Sequence, residues 1–168
     1  MNKVSQLAAC LALPLCVSGF APVAHAATAN TTFQVSATVV DSCNVSATPL
    51  VFGNYDSLTG GVLDASATIN PQCTSGTYYS IALDAGQGTG ASLADRRLTG
   101  HAGATLGYGI YANAERTIAW GDGTAGTSQS VNTGTGGTQP VTMYGRVRAE
   151  QNALVGAYVD TITLTVSY

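Results

Sequence analysis

The last thirteen residues, "GAYVDTITLTVSY" (Gly156–Tyr168), decide the fold class. Tyr158, Ile162, Leu164, Val166 and Tyr168 share one parity along this stretch. Asp160, Thr161, Thr163, Thr165 and Ser167 supply the rest. Successive side chains of an extended chain point to opposite faces, so this spacing predicts a β-strand with one face buried. The sequence closes on that strand with no turn or partner strand after it. The expectation is that its missing neighbour in the sheet comes from elsewhere.

The same period recurs upstream. "TTFQVSATVV" alternates Phe33, Val35, Ala37 and Val39, and "GVLDASATIN" alternates Leu63, Ala65, Ala67 and Ile69 before Pro71. "PLVFGNY", "TYYSIALD", "TLGYGIYA", "TIAWG" and "QPVTMYGRVRA" are further strand-like segments. No window carries apolar residues at the 3.6-residue period of a helix. β-Branched residues fill the segments and Gly and Asn fill the gaps, which predicts an all-β sandwich of roughly seven strands. "GDGTAGTSQSVNTGTGGTQ" (residues 121–139) reads as a surface loop carrying one short strand near Val131.

Residues 1–26 read as a signal peptide: Lys3, then the apolar "LAACLALPLCVSGF", then "AHA" as a small-x-small cleavage site. The apolar run is too short for a comfortable membrane span. The mature chain has no lysine, and its five arginines face nine carboxylates, a net charge of −4. Without a basic patch, nucleic acid and anionic membrane are excluded as electrostatic partners, and no membrane insertion is expected. Cys10 and Cys16 fall in the signal peptide. Cys43 and Cys73 remain, an even count in an exported chain, with a single pairing open to them as a disulfide.

Chemistry finds little footing. His101 is the one histidine of the mature chain and stands in a Gly-rich loop without a second ligand in metal-binding spacing. No G-x-S-x-G elbow occurs. "AGQGTGAS" imitates a dinucleotide fingerprint but is not followed by the helix that would present N–H groups to phosphate, so it reads as a hairpin loop. Asp95, Arg96 and Arg97 read as a surface ion-pair cluster. Tyr55, Tyr78, Tyr111 and Trp120 read as core or loop packing before a contact patch. No enzyme activity, metal or cofactor is expected.

Taken in order, "FQVSATVVDSCNV", "FGNYD", "LDASATINPQC", "YGIYANAERTIAWGDGT", "VTMYGRVRAEQ" and the C-terminal stretch resemble the spore coat U domain, the pilin subunit family of archaic chaperone–usher fimbriae. The two cysteines with "FG" between them, the "Y-x-I-Y" segment followed by "ERT", and the final "G-x-Y-x-D-T" run are its most specific parts. The resemblance implies an incomplete immunoglobulin-like sandwich lacking its last strand and completed by donor-strand exchange. It implies an N-terminal donor extension over residues 27–42, with Phe33, Val35, Ala37 and Val39 on one face, and a pilin domain over 43–168. Ile162, Leu164, Val166 and Tyr168 become the edge of an acceptor groove and a chaperone contact. The implied partners are a periplasmic chaperone, an outer-membrane usher and neighbouring pilin subunits. The implied place is a cell-surface fimbrium serving adhesion and biofilm formation, reached through the periplasm. A spore or cell coat protein, or a minor tip subunit, is the alternative.

Overall fold

The computed structural model describes residues 25–168. The expected signal peptide, apart from His25 and Ala26, lies outside the described residues. The chain divides into two units, Met1–Ala37 and Thr38–Tyr168. In the first, residues 25–37 have no regular secondary structure, and Phe33 and Val35 are 84% and 82% exposed. An isolated alternating segment has no ladder to satisfy its backbone groups, so its pattern alone does not make it a strand.

The second unit is an all-β sandwich. Its strands are β1 (Cys43–Ala47), β2 (Leu63–Cys73), β3 (Tyr78–Leu83), β4 (Arg96–Thr99), β5 (Thr105–Tyr111), β6 (Ser130–Thr133), β7 (Val141–Val147) and β8 (Leu164–Ser167). One sheet has the order β1-β2-β7-β5-β4 and the other β6-β3-β8, with every pairing antiparallel. A single short 3₁₀ turn, His101–Gly103, is the only helical piece among the described residues. The core lies between the sheets: Ile69 of β2, Tyr108 and Ile110 of β5 and Val147 of β7 meet Tyr79, Ile81 and Leu83 of β3. Alternation explains the choice of face, because β2 turns Ala67 and Ile69 inward and carries Asp64, Ser66 and Thr68 on its other side. Val131 falls in β6, the short strand expected inside the Gly/Thr-rich stretch.

Four expectations change. "TIAWG" forms no strand, only isolated bridges at Ala119 and Trp120. β2 does not stop at Pro71 but runs to Cys73. Pro71 lies beyond the last β2–β7 pair, Ile69 with Val141, so that ladder does not need the N–H it lacks. "PLVFGNY" forms no strand. Gly145 on the inner face of β7 leaves a hollow, and Leu50 and Phe52 fill it; a Cβ there would sit 2.7 Å from Leu50 Cδ2 and 2.8 Å from Phe52 Cζ.

The C-terminal stretch is not one strand either. Val159 pairs with Thr99 of β4 in the first sheet, through N–H···O bonds of 2.8 and 3.0 Å. Five residues on, Leu164–Ser167 pairs with β3 in the second sheet. The polypeptide crosses between sheets at Asp160–Thr163, where side-chain bonds to Asp160 and Asp84 replace the ladder.

Candidate functional site

The sandwich is open along one side. A groove of about 350 Å³ lies between the segment Ala47–Phe52 and the segment Val159–Leu164. Its floor is core: Leu83, Tyr108, Ile110 and Met143, with Leu98 beside them. A wider trench lined by residues 50–58 and 152–158 shares Leu50, Phe52 and Leu98 with it. Two tight loops stitch the far end of that trench together. The Gln151 N–H donates to Tyr55 Oη at 2.8 Å, Ser57 Oγ donates to the Ala153 carbonyl, and the Glu150 N–H donates to the Gly60 carbonyl.

The second wall, Val159–Leu164, continues into strand β8. Among the described residues it pairs with β3 alone, so it is an edge strand. Leu164 and Val166 are half-buried and pack against the core, as does Ile162 just before the strand, whereas Tyr168 is 62% exposed. Ile162 and Leu164 line the groove itself. An unpaired edge over an apolar channel leaves both backbone polar groups and hydrocarbon unsatisfied, which is a template for a further strand.

A buried polar cluster, which the sequence reading did not single out, holds this wall. Arg96 is fully buried. Its Nε donates to the Asp84 carbonyl at 2.9 Å, Nη1 to the Leu93 carbonyl at 2.9 Å, and Nη2 to the Trp120 carbonyl at 2.8 Å. The expected surface cluster is therefore split: Arg97 pairs with Asp95 at the surface at 2.8 Å, while Arg96 turns inward. Parity decides this, because neighbouring strand residues face opposite sides and Arg96 shares its register with Tyr108. Burial lowers the Arg96 pKa, opposed by the nearby Tyr108, Asp84 and Asp160.

Asp160 takes hydrogen bonds from the Gln87 N–H at 2.7 Å, the Thr161 N–H at 2.8 Å and the Tyr108 hydroxyl at 2.7 Å. Burial, then the bond to Asp160, pushes the Tyr108 hydroxyl far above its ordinary value, so it stays protonated and donates. Asp84 Oδ1 accepts from the Thr163 and Gly86 N–H groups. Burial raises the Asp84 pKa, but those bonds and the Arg96 charge outweigh it and hold the carboxyl below the usual range. The one hint in the sequence was Asp160 itself, a carboxylate in the parity of an apolar strand.

The remaining candidates separate. Cys43 and Cys73 form the disulfide, directly opposed on β1 and β2. Val39 is 83% exposed, like Phe33 and Val35, and Ala37 is exposed too. Trp120 is a core residue whose indole N–H donates to the Ile81 carbonyl, Tyr78 is exposed, and Tyr55 belongs to the trench loops, so the four aromatics form no common patch. No group of three or more His, Cys, Asp or Glu able to hold a metal ion occurs among the described residues. No helix there is long and apolar enough to cross a membrane.

Known proteins place this architecture. The chain is 32% identical over 182 aligned residues to Protein U of Myxococcus xanthus, covering all of both chains. Its fold is similar to a chain in the chaperone–tip adhesion subunit pre-assembly complex of the archaic chaperone-usher Csu pili of Acinetobacter baumannii. That match has a TM-score of 0.56 at 22% identity and covers 78% of this chain but 41% of that one. The Spore Coat Protein U domain model matches residues 29–165. The chain belongs to the Spore Coat Protein U domain family.

Proposed function

We propose that the chain is a structural subunit of a surface fibre and polymerises by donor-strand exchange. The observation that carries the reading is the apolar groove beside edge strand β8, with core side chains as its floor. In this reading residues 1–26 direct export, 27–42 are the donor extension and 43–168 the acceptor domain. Phe33, Val35, Ala37 and Val39 of one copy enter the groove of the next, adding a strand to β8 and satisfying its backbone. Phe33 contributes most, since burying a large apolar side chain stabilises by roughly 1.5–3 kcal/mol and Ala37 offers much less. A slip of one residue turns Gln34 and Ser36 inward, so alternation sets the register.

Donor and groove are different surfaces of one subunit, so the contact is heterologous and repetition yields a filament. Before assembly a periplasmic chaperone covers Ile162, Leu164, Val166 and Tyr168, and an outer-membrane usher exchanges it for the next subunit. The fibre serves adhesion and biofilm formation, and the role is structural rather than catalytic. The likeness to the pilus complex and membership of the family support this reading. The family description favours a second one, a coat protein that acts without a fibre.

The test is to refold residues 27–168 with and without a synthetic peptide spanning Thr32–Val40. Peptide at about a hundred times its dissociation constant adds about 2.7 kcal/mol, which raises the melting temperature by roughly 10 °C for a chain of this size. A chain lacking residues 27–40 should still take the peptide yet form no oligomers. An unchanged melting temperature removes the groove's role, and continued polymerisation of the truncated chain removes the donor's.

A further inference from the structure

The N-terminal segment leads into the groove by a very short path. β1 begins at Cys43, and the groove wall Ala47–Phe52 begins where β1 ends. β1 itself is poorly rooted: it is an edge strand of five residues, of which only Cys43 and Val45 are half-buried. Tension applied to the N-terminal segment would peel such a strand and carry the groove wall away with it. The chain is fastened ahead of that point. The Thr74 N–H donates to the Ser42 carbonyl at 2.9 Å, Thr77 Oγ1 donates to Asp41 Oδ1 at 2.6 Å, and Thr74 Oγ1 lies within reach of the Val40 and Ser42 carbonyls. At the first residue of β1 the disulfide crosses to Cys73.

Cys73 ends β2, an interior eleven-residue strand paired with both β1 and β7 and carrying the fully buried Ile69. We propose that the Cys43–Cys73 bridge is a load-diverting clamp. Tension on a subunit's N-terminal segment passes at Cys43 into β2, so the groove that holds the next subunit's strand is not pulled open. The clamp rests on the donor-strand reading for its purpose, though not for its mechanics. The bridge joins the first residue of an edge strand to a buried core residue, Cys73, so the link has a firm anchor. Reduction is the switch. A dithiol such as dithiothreitol donates two electrons and two protons, becomes a cyclic disulfide, and leaves Cys43 and Cys73 as free thiols that no longer carry load.

Single-molecule pulling on residues 27–168 tests this, with one handle at the N-terminus and the other on a clickable side chain at the exposed loop residue Thr135. With dithiothreitol, the first step should release residues 43–62, about 70 Å of chain at roughly 3.5 Å per residue, before the rest unfolds. The oxidised chain should show no such step. With a fluorescent Thr32–Val40 peptide in the groove, load should leave its dwell time unchanged in the oxidised chain and shorten it about tenfold in the reduced chain. The paired C43S/C73S substitution should reproduce the reduced behaviour without reductant; should that variant fail to fold, the reduced native chain carries the comparison. T74V/T77V with the bridge intact should behave as the oxidised chain. If reduced and oxidised chains give the same first step, the clamp is wrong. If the peptide never binds, the donor-strand reading fails while the length step still judges the clamp.

Discussion

Arg96 shows how a single residue organises the groove wall. Its guanidinium gathers carbonyls from Asp84 just after β3, from Leu93 in the loop before β4 and from Trp120. Replacing it by Met strands these acceptors in a buried site, and the expected loss is about 3–5 kcal/mol, read from urea denaturation. Arg96→Lys should recover little, because a single ammonium cannot span the same planar fork of acceptors. Asp84 lies in the same cluster with its pKa depressed in the folded chain. A depressed carboxyl contributes stability above its unfolded pKa, near 4, and loses that contribution as pH falls through the lower folded value. The unfolding midpoint of the native chain should therefore drop as the pH falls below about 4. Asp84→Asn should be less stable at pH 7 and show a shallower acid decline; an equally steep decline would place the acid sensitivity elsewhere. None of this cluster was legible in "ADRRL", where three adjacent charges look solvated. Burial of the middle one required partners that only the folded chain assembles.

Among the elements, the segment Ala47–Phe52 was misread and β8 was half read. "PLVFGNY" has strand composition, but its inward residues Leu50 and Phe52 are seated over Gly145, and Phe52 meets Tyr108 edge-on at 5.8 Å between ring centroids. It is a groove wall held by packing rather than by a ladder. Gly145→Val should displace both side chains, cost about 1–3 kcal/mol by overpacking and weaken Thr32–Val40 binding in a titration. Unaltered binding would show that the wall does not shape the site. β8 was foreseen by its period of two, and Leu164 and Val166 do face the core. The stretch before it was not foreseen, because Asp160 diverts the chain from one sheet to the other. Asp160→Asn removes the charge that three donors converge on and should loosen the crossing, lowering the melting temperature and raising hydrogen exchange at Thr161 and Thr163.

For the molecule as a whole, the disulfide closes a span of 30 residues. The chain-entropy relation gives about 3–4 kcal/mol for such a loop, so reduction should lower the unfolding midpoint accordingly in the absence of load. The chain's low charge, with Lys3 its only lysine, leaves cohesion to packing and backbone pairing. Local spacing in the sequence determined the all-β class, the inward faces of β2, β3, β5, β7 and β8, and the partnership of the two cysteines. These depend on parity along one strand or on a count, and neither needs knowledge of distant neighbours. Tertiary structure alone decided that Arg96 is buried, that "PLVFGNY" walls a groove, that the C-terminal stretch changes sheets, and that core side chains floor an open channel. Each of these depends on which segments converge in space, and convergence is a property of the packed sheets that no single stretch of sequence contains.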